Sequence, residues 1–242
     1  MSTTLCFDFG NTRKKCAVFF DADFAEELVL ENDDDETIRM LIDRYRPERS
    51  ILSSVIDHNP GMEELLRQAT RFHKLGHLSK LPVTTRAVGK PETIGADRLA
   101  LVVAAVTVFP GKNNLVIGLG SAITYNYVNK YGEFIGGGIS PGMEMRFRSL
   151  HEFTAKLPLV KADWNFPLAG YDTRTNILSG VILGMAKEID GMISAYEEKY
   201  ANFNVLLSGG DAVYFTRHLK KKIFADPGLI YKGLYAISVF ND

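Results

Sequence analysis

The sequence predicts an α/β protein made of two similar halves, and three observations predict it. A β-rich run ending in a glycine turn, LCFDFGN (5–11), recurs 110 residues later as LVIGLGS (115–121). Each copy leads into a second β-rich run and then into apolar strands alternating with helical segments. At 242 residues the chain has room for one large domain or two of about half that length, with a substantial buried core. The halves meet near Pro110–Asn113, so residues 1–112 are read as an N-terminal lobe and 113–242 as a C-terminal lobe, with a ligand cleft expected between them.

The elements follow in order. Residues 5–9 and 16–20 form a hairpin across a Gly-Asn-Thr turn. The acidic cluster 31–36 reads as a solvated loop and helix start, since consecutive carboxylates rarely converge on one ion. ETIRMLIDRYRP has helical spacing and stops at Pro47; RSILSSVI is a short strand; GMEELLRQATRF is a helix. His73 and His77 are four apart, but Gly76 argues against a helix that would pair them on a metal. Residues 96–109 form a strong helix ended by Pro110-Gly111. The second half restarts with a strand, a glycine turn, a second strand, a hairpin turn at 130–132 and a glycine-rich segment. A helix over MEMRFRSLHEFTAKL, a long helix over 175–200 with a break near Gly180 or Gly184, a strand-Gly-Gly-helix unit at FNVLLSGGDAVYFTRHL, and a final strand and helix complete the chain.

Composition narrows the function. Hydrophobic residues make up 46% and the formal net charge is -1, so no global grip on nucleic acid or anionic membrane is expected. Cys6 and Cys16 make no disulfide framework or zinc pattern, which fits a reducing cytoplasm. The first apolar run is short and interrupted by Asp8, unlike a signal peptide, and no window is apolar enough for a membrane span.

Four glycine turns carry candidate chemistry. Gly10-Asn11-Thr12 can offer successive N–H groups and side-chain donors to phosphate oxygens, with Lys15 as a point charge. Asp8, at the strand end, suits magnesium held through water. Gly120, Ser121 and Thr124 offer the same donors at the second turn without an acid. Gly136–Gly138 with Pro141-Gly142 needs unusual backbone geometry. Ser208-Gly209-Gly210 can lie against a flat base or ribose. Gly95-Ala96-Asp97-Arg98 opens a helix, placing a carboxylate beside a guanidinium: the acid would take a proton from a hydroxyl and the Arg would hold an anion. Taken singly, each has a plain structural reading: an Asx-rich hairpin loop, a packed tight loop, a strand-to-helix turn, a helix cap.

Together, in this order, the motifs resemble the actin, hexokinase and Hsp70 superfamily of ATP-binding folds, and within it type III pantothenate kinase, the bacterial enzyme for the first step of coenzyme A synthesis. The carrying residues are D-F-G-N-T-x-x-K (8–15), G-A-D-R (95–98), G-S-A-I-T (120–124), G-G-G-I-S-P-G (136–142), FTAKLP (153–158), G-Y-D-T (170–173) with S-G at 179–180, and S-G-G (208–210), spanning nearly the whole chain. The resemblance implies a duplicated, two-lobed, ribonuclease H-like fold and the conversion of pantothenate to 4′-phosphopantothenate with ATP. It implies that Asp8, Gly10, Asn11, Thr12 and Lys15 form one phosphate site, and Gly120, Ser121 and Thr124 a second. Ser208, Gly209 and Gly210 would lie near adenosine. Gly95, Ala96, Asp97 and Arg98 would meet pantothenate, Asp97 as base, with Thr173 supplied by the partner subunit of a homodimer. Magnesium and a monovalent cation, potassium or ammonium, are implied cofactors.

The chain departs from that pattern where it matters for the cation. The family usually reads D-x-G-T-A-x-T at the second turn, its aspartate helping to hold the monovalent ion; here Gly118 stands there and Ser121 replaces the threonine. Asn126 stands where many members have aspartate, and Val88 where many have a substrate-facing tyrosine. Two alternatives to an active pantothenate kinase therefore arise: an ATP-binding or regulatory relative without turnover, and a superfamily kinase for another hydroxyl, such as a sugar.

Overall fold

The computed structural model describes residues 2–242. Ten strands form two five-stranded sheets of the same plan. In the first, β1 (Thr3–Phe9) pairs antiparallel with β2 (Lys14–Phe20), which pairs antiparallel with β3 (Asp23–Leu30). On its other side β1 runs parallel to β4 (Arg49–Ser54), and β4 to β5 (Arg71–Lys74). The order is β3-β2-β1-β4-β5. In the second sheet, of β6 (Asn113–Leu119), β7 (Ala122–Val128), β8 (Phe134–Pro141), β9 (Phe203–Ser208) and β10 (Phe224–Ala225), it is β10-β9-β6-β7-β8, the same arrangement position for position. Here β6 and β9 run parallel, as β1 and β4 do. The internal repeat marked by two short runs thus extends to the whole sheet plan.

The sequence pattern does not signal β3. It is an edge strand in which Glu26 and Glu27 stand on opposite faces and Phe24 and Val29 are exposed, so apolar residues do not mark one face. The acidic cluster that follows is only partly solvated: Asp33 is buried against Lys14 and the Asn59 N–H, and Asp34 caps α1 (Asp35–Tyr45) by accepting from Thr37 N at 2.8 Å. α1 ends at Arg46 in the left-handed region, φ 43°, just before Pro47.

Period-2 alternation divides the first sheet's faces. Leu5, Phe7, Phe9, Val18 and Leu52 point to one face and pack with Ile38 and Leu41 of α1 and Met62 and Leu66 of α2 (Pro60–Ala69). The opposite face carries Cys6 and Asp8, and is covered by α3 (Ala96–Val108) and α8 (Leu229–Phe240). Cys6 and Cys16 are both buried and free, and they face opposite sides of the sheet.

The described residues divide into two compact units. The first holds the chain up to Gly111, together with Val128–Gly136 and Gly228–Asp242; the second holds Lys112–Tyr127 and Gly137–Pro227. The sequence division at 112/113 differs from this in two later pieces. Val128–Gly136 stays with the first unit because Thr84 exchanges backbone bonds of 2.8 Å with Gly132 and Phe134. The C-terminal helix returns because α3 is apolar on nearly all sides, with Leu99 to Ala105 all buried, and needs an apolar partner. α8 supplies Leu234 and Ile237, and at Gly233 its backbone sits directly on the Ala100 carbonyl.

In the second unit α4 (Met143–Glu152) is followed by a continuous helical run: α5 (Thr173–Leu178), a π-turn (Ser179–Leu183) and α6 (Gly184–Lys199). The expected break near Gly180 is thus a π-bulge that leaves the helix unbroken. α7 (Ala212–Phe215) follows β9. Among the described residues no helix is long and apolar enough to cross a membrane.

Candidate active site

The first unit gathers charge on the α3/α8 face of its sheet. Asp8, one residue short of the β1 terminus, sits opposite Lys15 on β2 and Ser53 on β4. Lys15 Nζ reaches Glu27 Oε1 on β3 at 2.8 Å, the diagonal neighbour on the same face. Asp97 enters from the first turn of α3, its carboxylate folded back over Gly95, which has no side chain to obstruct it. Burial, reinforced by the nearby charge of Asp97, pushes the Asp8 carboxyl up to about 7 against the pull of Lys15. Burial also raises Asp97, against the N–H groups of Arg98 and its own backbone. The Arg98 guanidinium lies 5.6 Å from the Phe134 ring centroid.

The turn itself runs from Gly10 to Arg13. Gly10 N donates to Arg13 O at 3.1 Å, leaving Asn11 and Thr12 exposed at the tip. A Cβ at Gly10 would meet nothing closer than Arg13 O at 3.7 Å, an ordinary contact. The protein's own packing gives no steric reason for glycine there. Lys14 anchors the turn's far side through Asp33 at 2.5 Å.

In the second unit the matching turn is two residues, Gly120-Ser121, and a Cβ at Gly120 would likewise meet only Ala122 O, at 3.9 Å. Its neighbours are packed far more tightly. Gly142 rests on the carbonyls of Gly120 and Ser121, and its N–H donates to Ser121 O at 3.1 Å. Gly209, with φ +101°, lies against the Leu119 backbone, bringing the Ser208–Gly210 turn beside the β6 terminus. Thr124 is buried, and its hydroxyl accepts from the Asn126 amide at 3.1 Å. The end of β8 is pinned to α6 by an Arg146–Glu188 ion pair, with Arg146 Nε donating to Pro141 O at 2.8 Å and Tyr125 Oη to Glu188 at 3.0 Å. Thr173, exposed at the start of α5, lines an open cavity of about 660 Å³ with Arg146, Leu150, Leu157, Ile177 and Gly180.

In the first unit Asp8, Lys15 and Asp97 come together, and in the second Gly120 and Ser121 lie beside Ser208–Gly210. Glu27, Ser53 and Tyr231 also belong to the first cluster, and no sequence motif points to them. Ser53 Oγ is buried with no hydrogen-bond partner, one strand from Asp8. Tyr231, on α8, lies beside Glu27.

Duplicated sheets of this plan, each opening on a glycine turn, define the two-lobed fold of the actin and hexokinase class. Solved structures agree on the fold. A Campylobacter jejuni protein described as a Baf family transcriptional activator matches at TM-score 0.60 and 19% identity over 98% of both chains. Component A of the Acidaminococcus fermentans (R)-2-hydroxyglutaryl-CoA dehydratase matches at 0.53 and 13%, over 100% of this chain and 98% of that one. Sequence comparison is more specific. The family model for type III pantothenate kinase matches residues 4–195. Type III pantothenate kinases of Bacteroides fragilis and Porphyromonas gingivalis are 40% and 36% identical, over 98% and 100% of both chains. The chain belongs to the type III pantothenate kinase family.

Proposed function

We propose that this chain transfers the γ-phosphoryl group of ATP to the terminal hydroxyl of pantothenate, giving 4′-phosphopantothenate for coenzyme A synthesis, with Asp97 as the base. One observation carries the assignment of the base: a carboxylate with raised pKa at the N-terminus of α3, close enough to Asp8 to perturb it, on a face that also holds Lys15. Raising its pKa makes an ionised Asp97 the better proton acceptor.

Phosphoryl transfer asks the protein chiefly for positioning and charge neutralisation. The Gly10–Thr12 turn and Lys15 take phosphate oxygens, as does the Gly120-Ser121 turn; Ser208–Gly210 meets adenosine. Gly95, Ala96 and Arg98 hold pantothenate so that its hydroxyl faces Asp97. The hydroxyl oxygen attacks the γ-phosphorus, its proton passes to Asp97, the β–γ bridging bond breaks and ADP leaves. Thr124 Oγ1 accepts from Asn126, which leaves its O–H to donate to a phosphate oxygen. Thr173, with exposed Phe153, Leu168 and Tyr171 on the same unit, is assigned to a homodimer contact that delivers it to the partner's pantothenate site. The working compartment is the cytoplasm.

Magnesium fits the first turn. Asp8, Glu27 and Asp97 outnumber Lys15, and the orphaned Ser53 hydroxyl stands beside Asp8 to bond a metal-held water. Bound at Asp8, the ion would neutralise phosphate charge. At the second turn Gly118 gives a monovalent cation no side-chain oxygen where the family pattern has a carboxylate. No step is assigned to that cation.

The test is ADP release by purified protein with magnesium, with and without pantothenate and with sugars in its place. Pantothenate-dependent release is expected, and Asp97→Asn should lower kcat by roughly 10²- to 10⁴-fold while ATP-induced thermal stabilisation persists. Release driven by a sugar, or full activity in Asp97→Asn, overturns the reading. A chain that bound nucleotide without turnover would leave this charged cluster unexplained.

A further inference from the structure

We propose that Glu27 and Tyr231 are positioning residues that aim Lys15 at the nucleotide's phosphates, so that the C-terminal helix sets the phosphate grip from the same face of the sheet. The inference rests on the assignment of Lys15 to a phosphate oxygen.

A lysine is a mobile four-carbon stem carrying three donors. Lys15 spends one donor on Glu27 Oε1, at 2.8 Å, and keeps two. The Glu27 side chain is 33% exposed and that of Lys15 23%, so the pair adds little to stability. Its consequence is direction: the ammonium is held beside Asp8, on the face that Asp97 enters.

Glu27 is itself held. Tyr231 lies beside it, buried to 2% exposure, with Glu27 the main charged neighbour acting on the phenol. Burial, then Glu27, push the phenol's pKa well up, so it stays protonated and remains a donor. The ring stacks on Phe24 of the same strand at 6.4 Å and 25°. Two residues further along α8, Gly233 seats the helix on the Ala100 carbonyl of α3, the helix whose first turn carries Asp97. The same helix thus supports both the proposed base and, through Tyr231 and Glu27, the proposed phosphate lysine. A pre-aimed ammonium loses less freedom when the ligand arrives, which favours nucleotide affinity over pantothenate affinity.

The experiment is steady-state kinetics in both substrates for Glu27→Ala, Glu27→Gln, Tyr231→Phe, Glu27→Ala/Tyr231→Phe and Lys15→Met. Glu27→Ala is expected to raise KM for ATP about fivefold or more with KM for pantothenate nearly unchanged, Glu27→Gln less, and Tyr231→Phe about twofold. Because Tyr231 acts through Glu27, the double variant should match Glu27→Ala alone. Additive effects, equal shifts in both KM values, or an unchanged KM for ATP overturn the proposal. If Lys15→Met raises KM for ATP while Glu27→Ala and Glu27→Gln do not, the positioning role alone fails. If Lys15→Met leaves KM for ATP unchanged, the assignment of Lys15 fails with it. Should Glu27→Ala fold poorly, Glu27→Gln and Tyr231→Phe decide between the same outcomes by their split between the two KM values.

Discussion

In the first half, the strand that ends at the turn carries Asp8, set between Lys15 and Ser53; in the second, the matching strand carries Gly118, beside Ser208. The first turn is four residues long and open, and the second is two residues long with Gly142 and Gly209 packed onto its backbone. Yet the sheets share one strand order. Strand order is set by apolar alternation and hairpin connections, which both halves keep; charge is set by single side chains at strand ends, which the halves do not share. A duplicated fold can therefore gather charge in one copy while the other offers mainly backbone.

The strongest way to break this contrast is through the glycines. Gly209→Ala places a methyl group against the Leu119 backbone at a φ of +101°, and is expected to cost about 3 kcal/mol or more. Gly10→Ala meets only an ordinary contact and should change stability by less than about 0.5 kcal/mol while raising KM for ATP about tenfold. Urea melts and ATP kinetics on the two variants check this. Equal destabilisation would mean that the first turn is as tightly built as the second.

Acid gives a smaller effect in the same scheme. Burial alone would raise Glu63, in the first unit, but hydrogen bonds from Lys74, His58 and Arg67 hold its carboxyl down to about 2, from an ordinary value of 4.5. The folded pKa is depressed, so this stability is fully present above about 4.5 and is lost as pH falls toward about 2. With Lys74 and Arg67 each about half exposed, solvent screening leaves about 1–2 kcal/mol. Glu63→Gln should flatten the fall in urea-melt stability over that window. An unchanged slope would move the acid-sensitive group elsewhere, for which Glu188 in the second unit, held low by Arg146, is the next candidate.

What the sequence made legible follows from range. Asp8, Gly10, Lys15 and Asp97 were readable because each lies in a short run whose spacing carries its own meaning. Tyr231 was not, because it reaches Glu27 only after α8 has come back from the far end of the chain to cover α3. Nothing in LIYKGLYAISVF says which apolar helix it pairs with. Glu27 goes unsignalled with its strand: on a charged edge the alternation that marks β structure fades, and without β3 there is no register to place Glu27 diagonal to Lys15. Ser53 looked like any serine at the end of a strand until the parallel pairing set it beside Asp8.

The subtlest prediction restores the missing symmetry. Gly118 is buried next to Ser208, so Gly118→Asp introduces a carboxylate with little solvent around it. In sodium that charge should lower stability by about 1–3 kcal/mol, since a buried anion without a partner is costly. Potassium or ammonium should recover part of the loss if the new oxygens and nearby carbonyls bind the ion, because a ligand that binds only the folded state stabilises it by mass action. ADP release by the variant should then depend on the cation, while the wild type, which has no side-chain oxygen at this position, should vary less than about twofold among the three salts. Melting curves and rates in matched potassium, ammonium and sodium chloride give both readouts. A wild type as cation-dependent as the variant would show that backbone carbonyls suffice at the second turn, and that the two halves are closer in chemistry than Asp8 and Gly118 make them look.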